Sequence, residues 1–600
     1  MLKRAFGLVL LFATGHAFSA DIIVNTTEDI VKNDQQCSLR EAVEYINKGK
    51  PEEGLNGCGG KDASNNIILS NKEYQLQSQI RISKPMIFRT QSDSSVFENQ
   101  PGTKNAVISM KGTDRIFEIE RIPPTEENKN NDAPIDVSFF EITLKGCEAR
   151  VCKDKGGLIL NKERLVFQQG QLLNGKADLG GAIYNIRADV VTTSSLTSST
   201  TFTRVINSLI QNNQALQGAV IFSESPDFDL VNLVIRDNNA TADDGFLIFN
   251  QLALNEKQSQ DTGSLVGLKN STIFSNKGYV IKVMDGIHFV NNTMILNEKG
   301  LVFNAPFKKG FIANSILAKN GSSDCKVETA IDTINISNNL YGAGCGGSNS
   351  QQLGQTQLIA SASEIEGKCD PLSSAILCPF KEYESQLLGY FRPRILASYT
   401  KLTDSPIVNK GPSSAAGTIQ CQTLDQRGLV RPINQEICDR GAIELVVDRS
   451  TSKNVGKDIF YGEIAELTIA DQLVDGELVT PSQCQQLFGN RSNGESWQPG
   501  CLRIEQTNTP SKGKITISQD GEIVYTPYSH WRGADEFKIL VVTTTTRLNE
   551  SSNPYIEIPA KIVQNPPDTF QDSKVKTSGG SLGAFTAIGL LLLMTLRRRR

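Results

Sequence analysis

The sequence predicts an all-β protein, a right-handed parallel β-helix with an N-terminal capping helix, followed by a smaller β-sandwich. Three observations predict this fold. A short phrase bounded by asparagines recurs between residues 135 and 345. An amphipathic segment precedes this repeat, and strands joined by tight-turn signals follow it. Repeats of about 20–50 residues are typical of solenoids, in which each repeat packs only on its neighbours.

The repeated phrase is an asparagine, a few β-branched or aliphatic residues, and a closing asparagine. Its copies begin at Asn207, Asn232, Asn270, Asn292 and Asn314 and end at Asn212, Asn238, Asn276, Asn297 and Asn320. Successive leading asparagines are 25, 38, 22 and 22 residues apart, and the longest interval leaves room for a polar loop at 251–263. Equivalent asparagines are expected to stack, with their side-chain amides hydrogen-bonded along the axis. An irregular β-sandwich is the alternative, but it has no fixed period.

Glycines are expected at corners of the coils. Residues 180–185 (GGAIYN) and 217–222 (QGAVIF) place glycine ahead of an apolar strand, so Ile183 and Val220 should point into the core. The first of these segments resembles the GGAIYN-type coils of bacterial surface β-helix proteins and polymorphic outer-membrane proteins.

The open N-terminal end of a β-helix must be covered, and residues 37–47 (CSLREAVEYIN) provide a cap. Ser38 and Glu41 form a capping box, and Leu39, Ala42, Val43 and Ile46 make one apolar stripe. The first six residues match CSLREA, the N-terminal signature of a family of secreted and surface-attached β-helix proteins. The continuation departs from the alanine-rich pattern of that family.

Residues 314–345, 405–411 and 421–444 resemble the closing segment of the same family. The last of them contains five charged residues that we interpret as a structural network: Asp425, Arg427, Arg431, Asp439 and Glu444. A catalytic or ligand-binding cluster is the alternative interpretation.

A second domain begins after a polar linker at 448–457. Residues 513–517, 520–527 and 533–539 alternate apolar and polar side chains, and a DG turn signal precedes the second of these strands. The segment resembles bacterial cadherin-like and Ig-like β-sandwich modules, which space or bind rather than catalyse.

Both ends of the chain predict export. Lys3 and Arg4, an apolar stretch and a small-residue triplet at 17–19 form a Sec signal peptide, cleaved after Ser19 or Ala20 with Ser19 preferred. At the other end, Gly579 and Gly580 precede an apolar run at 582–596 and four arginines. As a helix that run would be about 22 Å long, short of the roughly 30 Å hydrocarbon core.

The tail resembles the GlyGly-CTERM signal of exported bacterial proteins. That resemblance implies processing near the glycine pair by rhombosortase, outward transport by type II secretion after the Sec translocon, and a cell-surface or extracellular destination. A plain C-terminal transmembrane anchor is the alternative.

The predictions divide the chain into seven segments: signal peptide 1–20; cap and first strands 21–80; β-helix with closing segment 81–447; linker 448–457; Ig-like or cadherin-like sandwich 458–565; stalk 566–578; and sorting tail 579–600. Removing both terminal segments takes away six basic residues and no acid, so the formal net charge changes from −4 to −10. This charge, without a basic cluster, excludes a nucleic-acid partner.

Twelve cysteines in an exported chain predict disulfides, because the periplasm is oxidising. In chain order they form local couples, although sequence alone does not fix the pairing: Cys37/Cys58, Cys147/Cys152, Cys325/Cys345, Cys369/Cys378, Cys421/Cys438 and Cys484/Cys501. Metal binding competes with this interpretation, but the chain has no CxxC pair and only His288 and His530 beyond the signal peptide.

Functionally, the sequence favours a non-catalytic adhesin that offers asparagine- and serine-rich faces to an extracellular glycan or protein. A polysaccharide lyase or glycoside hydrolase and a purely structural surface protein are the alternatives. Asp243 and Asp244, with Asp178 one or two coils away, are the weak catalytic candidates, and Arg236 or Lys269 are candidate bases. No cofactor is predicted, and nothing in the sequence supports calcium.

Overall fold

The computed structural model describes residues 20–91, 105–122, 133–191, 197–199, 201–225, 228–250, 266–283, 287–303, 310–328, 334–359, 373–379, 391–411, 421–431, 437–445, 454–468, 477–491, 494–504, 509–518, 522–548 and 553–566. Two compact units make up the chain. The first unit comprises Met1–Arg449, Asp475–Val479 and Thr543–Pro554, and the second comprises Ser450–Val474, Thr480–Val542 and Tyr555–Arg600.

The first unit is a parallel β-helix, as predicted. Three long sheets, called here A, B and C, run along it. Sheet A contains β1 (Ala20–Ile23), β2 (Ala63–Leu69), β5 (Met86–Thr90), β8 (Asp136–Phe140), β12 (Arg164–Gln168), β18 (Phe202–Ile206), β22 (Phe228–Val231), β26 (Val266–Lys269), β29 (Ile287–Val290), β32 (Gly310–Ala313) and β35 (Ile334–Ser337).

Sheets B and C form the other two faces. Sheet B contains β4 (Ile80–Ile82), β7 (Phe117–Ile119), β11 (Ile159–Asn161), β15 (Ile183–Asn185), β21 (Ile221–Ser223), β25 (Phe246–Asn250), β28 (Tyr279–Val283), β31 (Leu301–Phe303) and β34 (Cys325–Val327). Sheet C contains β3 (Glu73–Leu76), β6 (Ala106–Met110), β9 (Ile142–Lys145), β13 (Gln171–Leu173), β19 (Leu209–Gln211), β23 (Val234–Arg236), β27 (Thr272–Phe274), β30 (Thr293–Ile295), β33 (Ile316–Ala318), β36 (Leu340–Tyr341) and β37 (Gln351–Gln352).

Short sheets lie between the long ones or close the unit. They pair β10 (Lys153–Lys155) with β14 (Ala177–Leu179), β16 (Asp189–Val191) with β17 (Thr197–Ser199), β20 (Gln214–Ala215) with β24 (Asn239–Ala240), and β38 (Leu377–Pro379) with β39 (Phe391–Pro393). From β2 onward each coil visits sheet A, then C, then B. Every pair within the long sheets is parallel, so each strand bonds its equivalents one coil before and one coil after.

The core is a continuous apolar stack inside the coils. Phe88 and Phe139 stack at 4.6 Å between ring centroids, and Phe117 and Phe167 continue the row. Ile183 and Val220 are buried in this core, as predicted. Gly180 and Gly218 adopt φ values of 69° and 70°, which glycine accepts without strain, so they turn the predicted corners.

The predicted amide ladder is present. The side-chain Nδ2 of each member donates to Oδ1 of the next at 2.8–3.0 Å, through Asn213, Asn238, Asn276, Asn297 and Asn320. The ladder ends where Asn320 donates to Asp324 Oδ1 at 2.8 Å. In the first coil the ladder member is Asn213, not the predicted Asn212, which takes a positive φ instead.

The leading asparagines have a different role. Asn207, Asn232, Asn270 and Asn314 adopt φ values between 47° and 57°, which fit the turn into a sheet C strand. In the fourth coil the equivalent residue is Asn291, not Asn292. Asn292 instead occupies a second buried row with serines, in which Asn292 Oδ1 accepts from the Ser271 backbone N–H.

The N-terminal cap is helix α1 (Leu39–Asn47). Ser38 accepts from the Glu41 backbone N–H at 3.2 Å, and Glu41 Oε2 accepts from the Ser38 backbone N–H at 3.0 Å, so the predicted capping box is formed. The predicted apolar stripe of the helix is buried.

Two segments from later in the chain, Asp475–Val479 and Thr543–Pro554, belong to the first unit. Glu477 accepts hydrogen bonds from both Arg392 and Arg394, at 3.1 and 2.7 Å. Burial alone would raise the pKa of Glu477, but the two arginines hold it below its usual value.

The second unit contains two antiparallel-rich sheets. One consists of β40 (Val455–Phe460), β42 (Arg503–Ile504), β45 (Gly533–Val542) and β46 (Tyr555–Asn565), and the other of β41 (Ala465–Thr468), β43 (Gly513–Ile517) and β44 (Glu522–Pro527). Tyr525 and Phe537, one from each sheet, stack with their ring centroids 5.8 Å apart in the core.

The second unit differs from the sequence prediction in two places. The sequence did not predict helix α2 (Pro481–Phe488), which begins with a Thr480 cap. Strand β40 begins at Val455, so residues 455–457 belong to the sandwich and not to the linker.

Five of the predicted disulfides are present: Cys37–Cys58, Cys147–Cys152, Cys325–Cys345, Cys421–Cys438 and Cys484–Cys501. Cys378 is also disulfide-bonded, and Cys369 lies outside the described residues. These bonds indicate an extracellular or exported protein. Residues 1–19 of the signal peptide with Ser19, the loop at 251–263, stalk residues 567–578 and the tail with Gly579 and Gly580 also lie outside the described residues, whereas Ala20 begins β1.

Candidate functional site

The predicted carboxylate candidates lie along one edge of the coils. Asp243 and Asp244 occupy an exposed turn after β24, and Asp178 is an exposed residue of β14. The Asp178 carbonyl accepts from Leu216 N–H and the Leu216 carbonyl from Ala242 N–H, so Asp178 lies two coils from the turn. Two coils correspond to about 10 Å along the axis. These exposed positions fit a solvated surface.

The candidate bases do not join these carboxylates. Arg236 lies in β23 of sheet C, and Lys269 lies in β26 of sheet A. Within the described part of the chain, the cation that contacts the turn is Lys299, whose Nζ donates to the Asp243 carbonyl oxygen rather than to a carboxylate. The structure therefore does not assemble the predicted acid–base set.

The charged residues of the closing segment are brought together, and all of them except the half-buried Arg427 are buried. Arg427 pairs with Asp425 at 2.8 Å and Arg431 pairs with Glu444 at 2.6 Å. Asp439 accepts from the backbone N–H groups of Asn409 and Leu445 at 2.7 Å each. Each acid thus has partners within the segment, which fits the predicted structural role.

Burial sets the protonation of this network. It raises the pKa of Asp439 well above its usual value, and the neighbouring Glu444 raises it further. Burial also raises the pKa of Glu444, against the opposing effect of Arg431. For both Asp439 and Glu444 burial disfavours the charged form.

The asparagine rows are unavailable to a ligand. The ladder amides are buried, and their donors and acceptors are used within the coils. The ladder asparagines therefore stabilise the core, and partner binding by other asparagine- and serine-rich surfaces stays a prediction.

A different cluster lies on the outer face of sheet A. Along each strand of this sheet, outward-facing residues alternate with buried ones. The outward-facing residues of five successive strands pair in register and form a row: Arg204 of β18, Asp229 of β22, Gly267 of β26, His288 of β29 and Phe311 of β32. Lys269, two residues beyond Gly267, points to the same face because strand side chains alternate. We call Arg204, Asp229, Lys269 and His288 the sheet A cluster.

Asp229 is the centre of the sheet A cluster. Its Oδ2 lies 3.4 Å from Arg204 Nε, and its Oδ1 lies 3.3 Å from Lys269 Nζ. The side chains of Arg204, Asp229 and Lys269 are 48%, 20% and 25% exposed. Gly267 makes the arrangement possible, since a Cβ there would clash with Asp229 Oδ1. Two cations around one carboxylate leave a local positive charge at the surface of an acidic chain.

His288 borders the cluster. Burial lowers the pKa of its imidazole, and the nearby Lys269 lowers it further while Asp229 opposes the shift. The ring packs on Phe311 with centroids 5.1 Å apart. Among the residues that the structure describes, neither ring nitrogen has a hydrogen-bond partner. The imidazole is therefore neutral near pH 7 and can donate to or accept from a bound molecule.

Sequence reasoning identified Lys269 but missed Arg204, Asp229 and the placement of His288. The sequence signal that could have located these residues was the alternating pattern of the sheet A strands, not the asparagine phrase. The triplets 203–205, 228–230, 266–268 and 287–289 each place a central residue between inward-facing neighbours. Aligning those triplets brings the central residues into one row.

No family model and no curated protein matches the chain. Among solved structures, it is similar to a PL6 family alginate lyase, AlyGC, with 12% sequence identity and a TM-score of 0.23. That match covers 69% of this chain and 60% of the lyase, so the chain spans less than two thirds of the lyase's length.

Two absences hold for the described part of the chain. Its His, Cys, Asp and Glu side chains form no group of three or more suited to a metal ion. None of its helices has both the length and the apolarity needed to cross a bilayer.

Proposed function

We propose that this protein is an exported β-helix protein that binds an acidic polysaccharide on the outer face of sheet A. The observation that carries the proposal is the sheet A cluster, in which Asp229 holds Arg204 and Lys269 side by side on an exposed face. A sugar carboxylate or sulfate approaching this face meets guanidinium and ammonium donors that are already positioned.

The shape of the sheet supports a linear ligand. Equivalent residues of successive strands are about 4.8 Å apart, so the row from Arg204 to His288 extends for roughly 15 Å. A polymer chain can follow such a row and contact several coils at once. Phe311 adds an aromatic surface at the end of the row, against which a sugar ring can pack.

Binding is tested with the secreted protein and a panel of acidic and neutral polysaccharides, measured by retention on immobilised polymer. Retention on acidic polymers that weakens with salt is expected, because surface ion pairs are screened. Equal retention on neutral polymers, or no retention on any polymer, would refute the proposal.

Cleavage of a polyuronate by β-elimination is a second candidate function, and His288 favours it. A neutral imidazole beside two cations can remove the proton α to a uronate carboxylate whose charge Arg204 and Lys269 stabilise. The electrons of that C–H bond form the C4–C5 double bond while the C4–O bond breaks, and the departing oxygen takes a proton from water. Growth of ultraviolet absorbance from the unsaturated uronate, lost in His288→Asn but with binding kept, would establish cleavage. Binding without this absorbance would indicate an adhesin that does not cleave the polymer.

Export is the other part of the proposal. The disulfides support it, and so does the resemblance of the two termini to a Sec signal peptide and a GlyGly-CTERM tail processed by rhombosortase before type II secretion. The secreted protein is expected to begin at Ala20 or Asp21 and end near Gly579 or Gly580. Intact mass spectrometry tests this, and a secreted form that still ends at Arg600 would contradict the processing step.

A further inference from the structure

The second unit carries an exposed group of aromatic side chains at one end. Phe460 and Tyr528 are 45% and 70% exposed, and Tyr461 stacks on His530 with centroids 4.9 Å apart. Trp531 lies beneath Lys512, whose Nζ is 4.7 Å from the indole centroid. We call Phe460, Tyr461, Tyr528, His530 and Trp531 the aromatic tip.

The core of the sandwich does not account for these residues. Tyr525 is fully buried and donates to Asp535 Oδ2 at 2.7 Å, whereas Tyr528, three residues later, projects into solvent. Ile464, in the turn after Tyr461, is also exposed. Large exposed apolar surface on a soluble domain indicates an interaction site.

The topology places the aromatic tip where the chain leaves the sandwich. Phe460, the last residue of β40, pairs with Asn565, the last residue of the final strand β46. Trp531 is held at the same edge, since its backbone N–H donates to Gln564 Oε1 at 2.8 Å. The described chain ends at Pro566, one residue after the end of β46.

Only fifteen residues, 567–581, separate this exit from the apolar run at 582–596. Fully extended they reach about 50 Å. A chain whose apolar run is inserted in a bilayer therefore keeps the exit, and the aromatic tip beside it, within that distance of the membrane surface.

The composition of the tip fits that surface. Tyrosine favours the membrane–water interface, where its ring is apolar and its hydroxyl stays wet. Trp531 is half-buried, with its indole nitrogen enclosed, and adds apolar ring surface. The exposed cation Arg532 and Lys512 over the indole can contact anionic headgroups. The acids at this end are the exposed Glu463 and the buried Asp535, whose Oδ2 accepts from the Lys512 backbone N–H at 3.0 Å.

We propose that the aromatic tip contacts the membrane interface while the C-terminal tail is inserted, and so holds the sandwich against the bilayer before the tail is removed. This inference rests on the proposed membrane insertion of the tail. Its physical role is to keep the sandwich close to the membrane surface, since an anchored domain shortens the range that the stalk can explore.

Two tryptophans make the contact measurable. Trp531 belongs to the tip, while Trp497 is buried and donates its indole N–H to the Gly489 carbonyl at 2.8 Å. The full chain is reconstituted into vesicles of phosphatidylethanolamine and phosphatidylglycerol that carry brominated acyl chains. We expect most of the Trp531 emission to be quenched in Trp497→Phe, and little quenching of the remaining tryptophan in Trp531→Phe.

The controls separate this inference from tail insertion. If the protein floats with the vesicles but Trp531 is not quenched, the tail inserts and the tip contact is refuted. If the protein does not float and Trp531 is unquenched, both the insertion of the tail and the contact of the tip are refuted. Should Trp497→Phe fold poorly, the difference in quenching between the wild type and Trp531→Phe gives the same answer. A shift of Trp531 emission by a soluble polysaccharide, without quenching by brominated lipid, would make the tip a glycan site and overturn the proposal.

Discussion

Asn238 donates its side-chain amide to Asn276 Oδ1 at 3.0 Å, although 38 residues separate them along the chain. The same contact recurs in neighbouring coils at separations of 25, 21 and 23 residues. The hydrogen-bonded row thus keeps its geometry while the number of residues per coil changes.

Asn276→Ala is expected to lower the free energy of unfolding by about 3 kcal/mol, because it leaves buried donors and acceptors of Asn238 and Asn297 without partners. Denaturant titration followed by circular dichroism measures the loss. The matched control is Asn335→Ala, which removes an exposed asparagine from strand β35. Equal stability of the two variants would contradict a structural role for the ladder.

The free energy of unfolding is expected to depend on pH through the buried acids of the closing segment. Burial raises the pKa of both Asp439 and Glu444, so the folded protein keeps protons that the unfolded chain releases near pH 4. Their contribution to stability is therefore full below about pH 4 and is lost as pH rises toward the raised pKa values.

The Asp439→Asn variant tests this sign. Its melting temperature should fall less than that of the wild type between pH 5 and pH 8, whatever its absolute stability. Asp178→Asn, at an exposed position, serves as the control. A wild-type slope that Asp439→Asn leaves unchanged would show that this network does not titrate as a buried group.

Polysaccharide binding is expected to strengthen as the pH falls from neutral through the lowered pKa of His288. The pKa of His288 lies below its usual value of 6.5, so acid adds a positive charge beside Lys269 while a uronate stays ionised. The added charge should raise affinity roughly threefold, as for a partly exposed ion pair. Retention measured across this range should lose its pH dependence in His288→Gln. A pH dependence that survives in His288→Gln would place the titrating group elsewhere.

The sequence predicted the parts of the fold that repeat. The asparagine phrase, the glycines at 180 and 218 and the Ser38–Glu41 capping box each depend on local geometry, and each was found. The register errors at Asn212 and Asn292 arose where two asparagines are adjacent, because composition alone does not show which of them enters the turn.

The candidate site was harder to predict because it depends on the strand register of sheet A. Arg204 and Asp229 are 25 residues apart in the chain and become neighbours only when β18 pairs with β22. The carboxylate pair Asp243–Asp244, by contrast, is conspicuous in sequence but lies in an exposed turn.

The most direct test of the central claim is affinity electrophoresis of three proteins through gels that contain an acidic polysaccharide. Arg204→Gln/Lys269→Gln removes both cations that Asp229 positions, and Lys145→Gln removes an exposed lysine from sheet C. The wild type and Lys145→Gln are expected to be retarded equally, and the double variant to migrate as it does without polysaccharide. Equal retardation of all three would show that the polysaccharide binds elsewhere, and no retardation of any would show that sheet A is not a binding face for acidic polysaccharide.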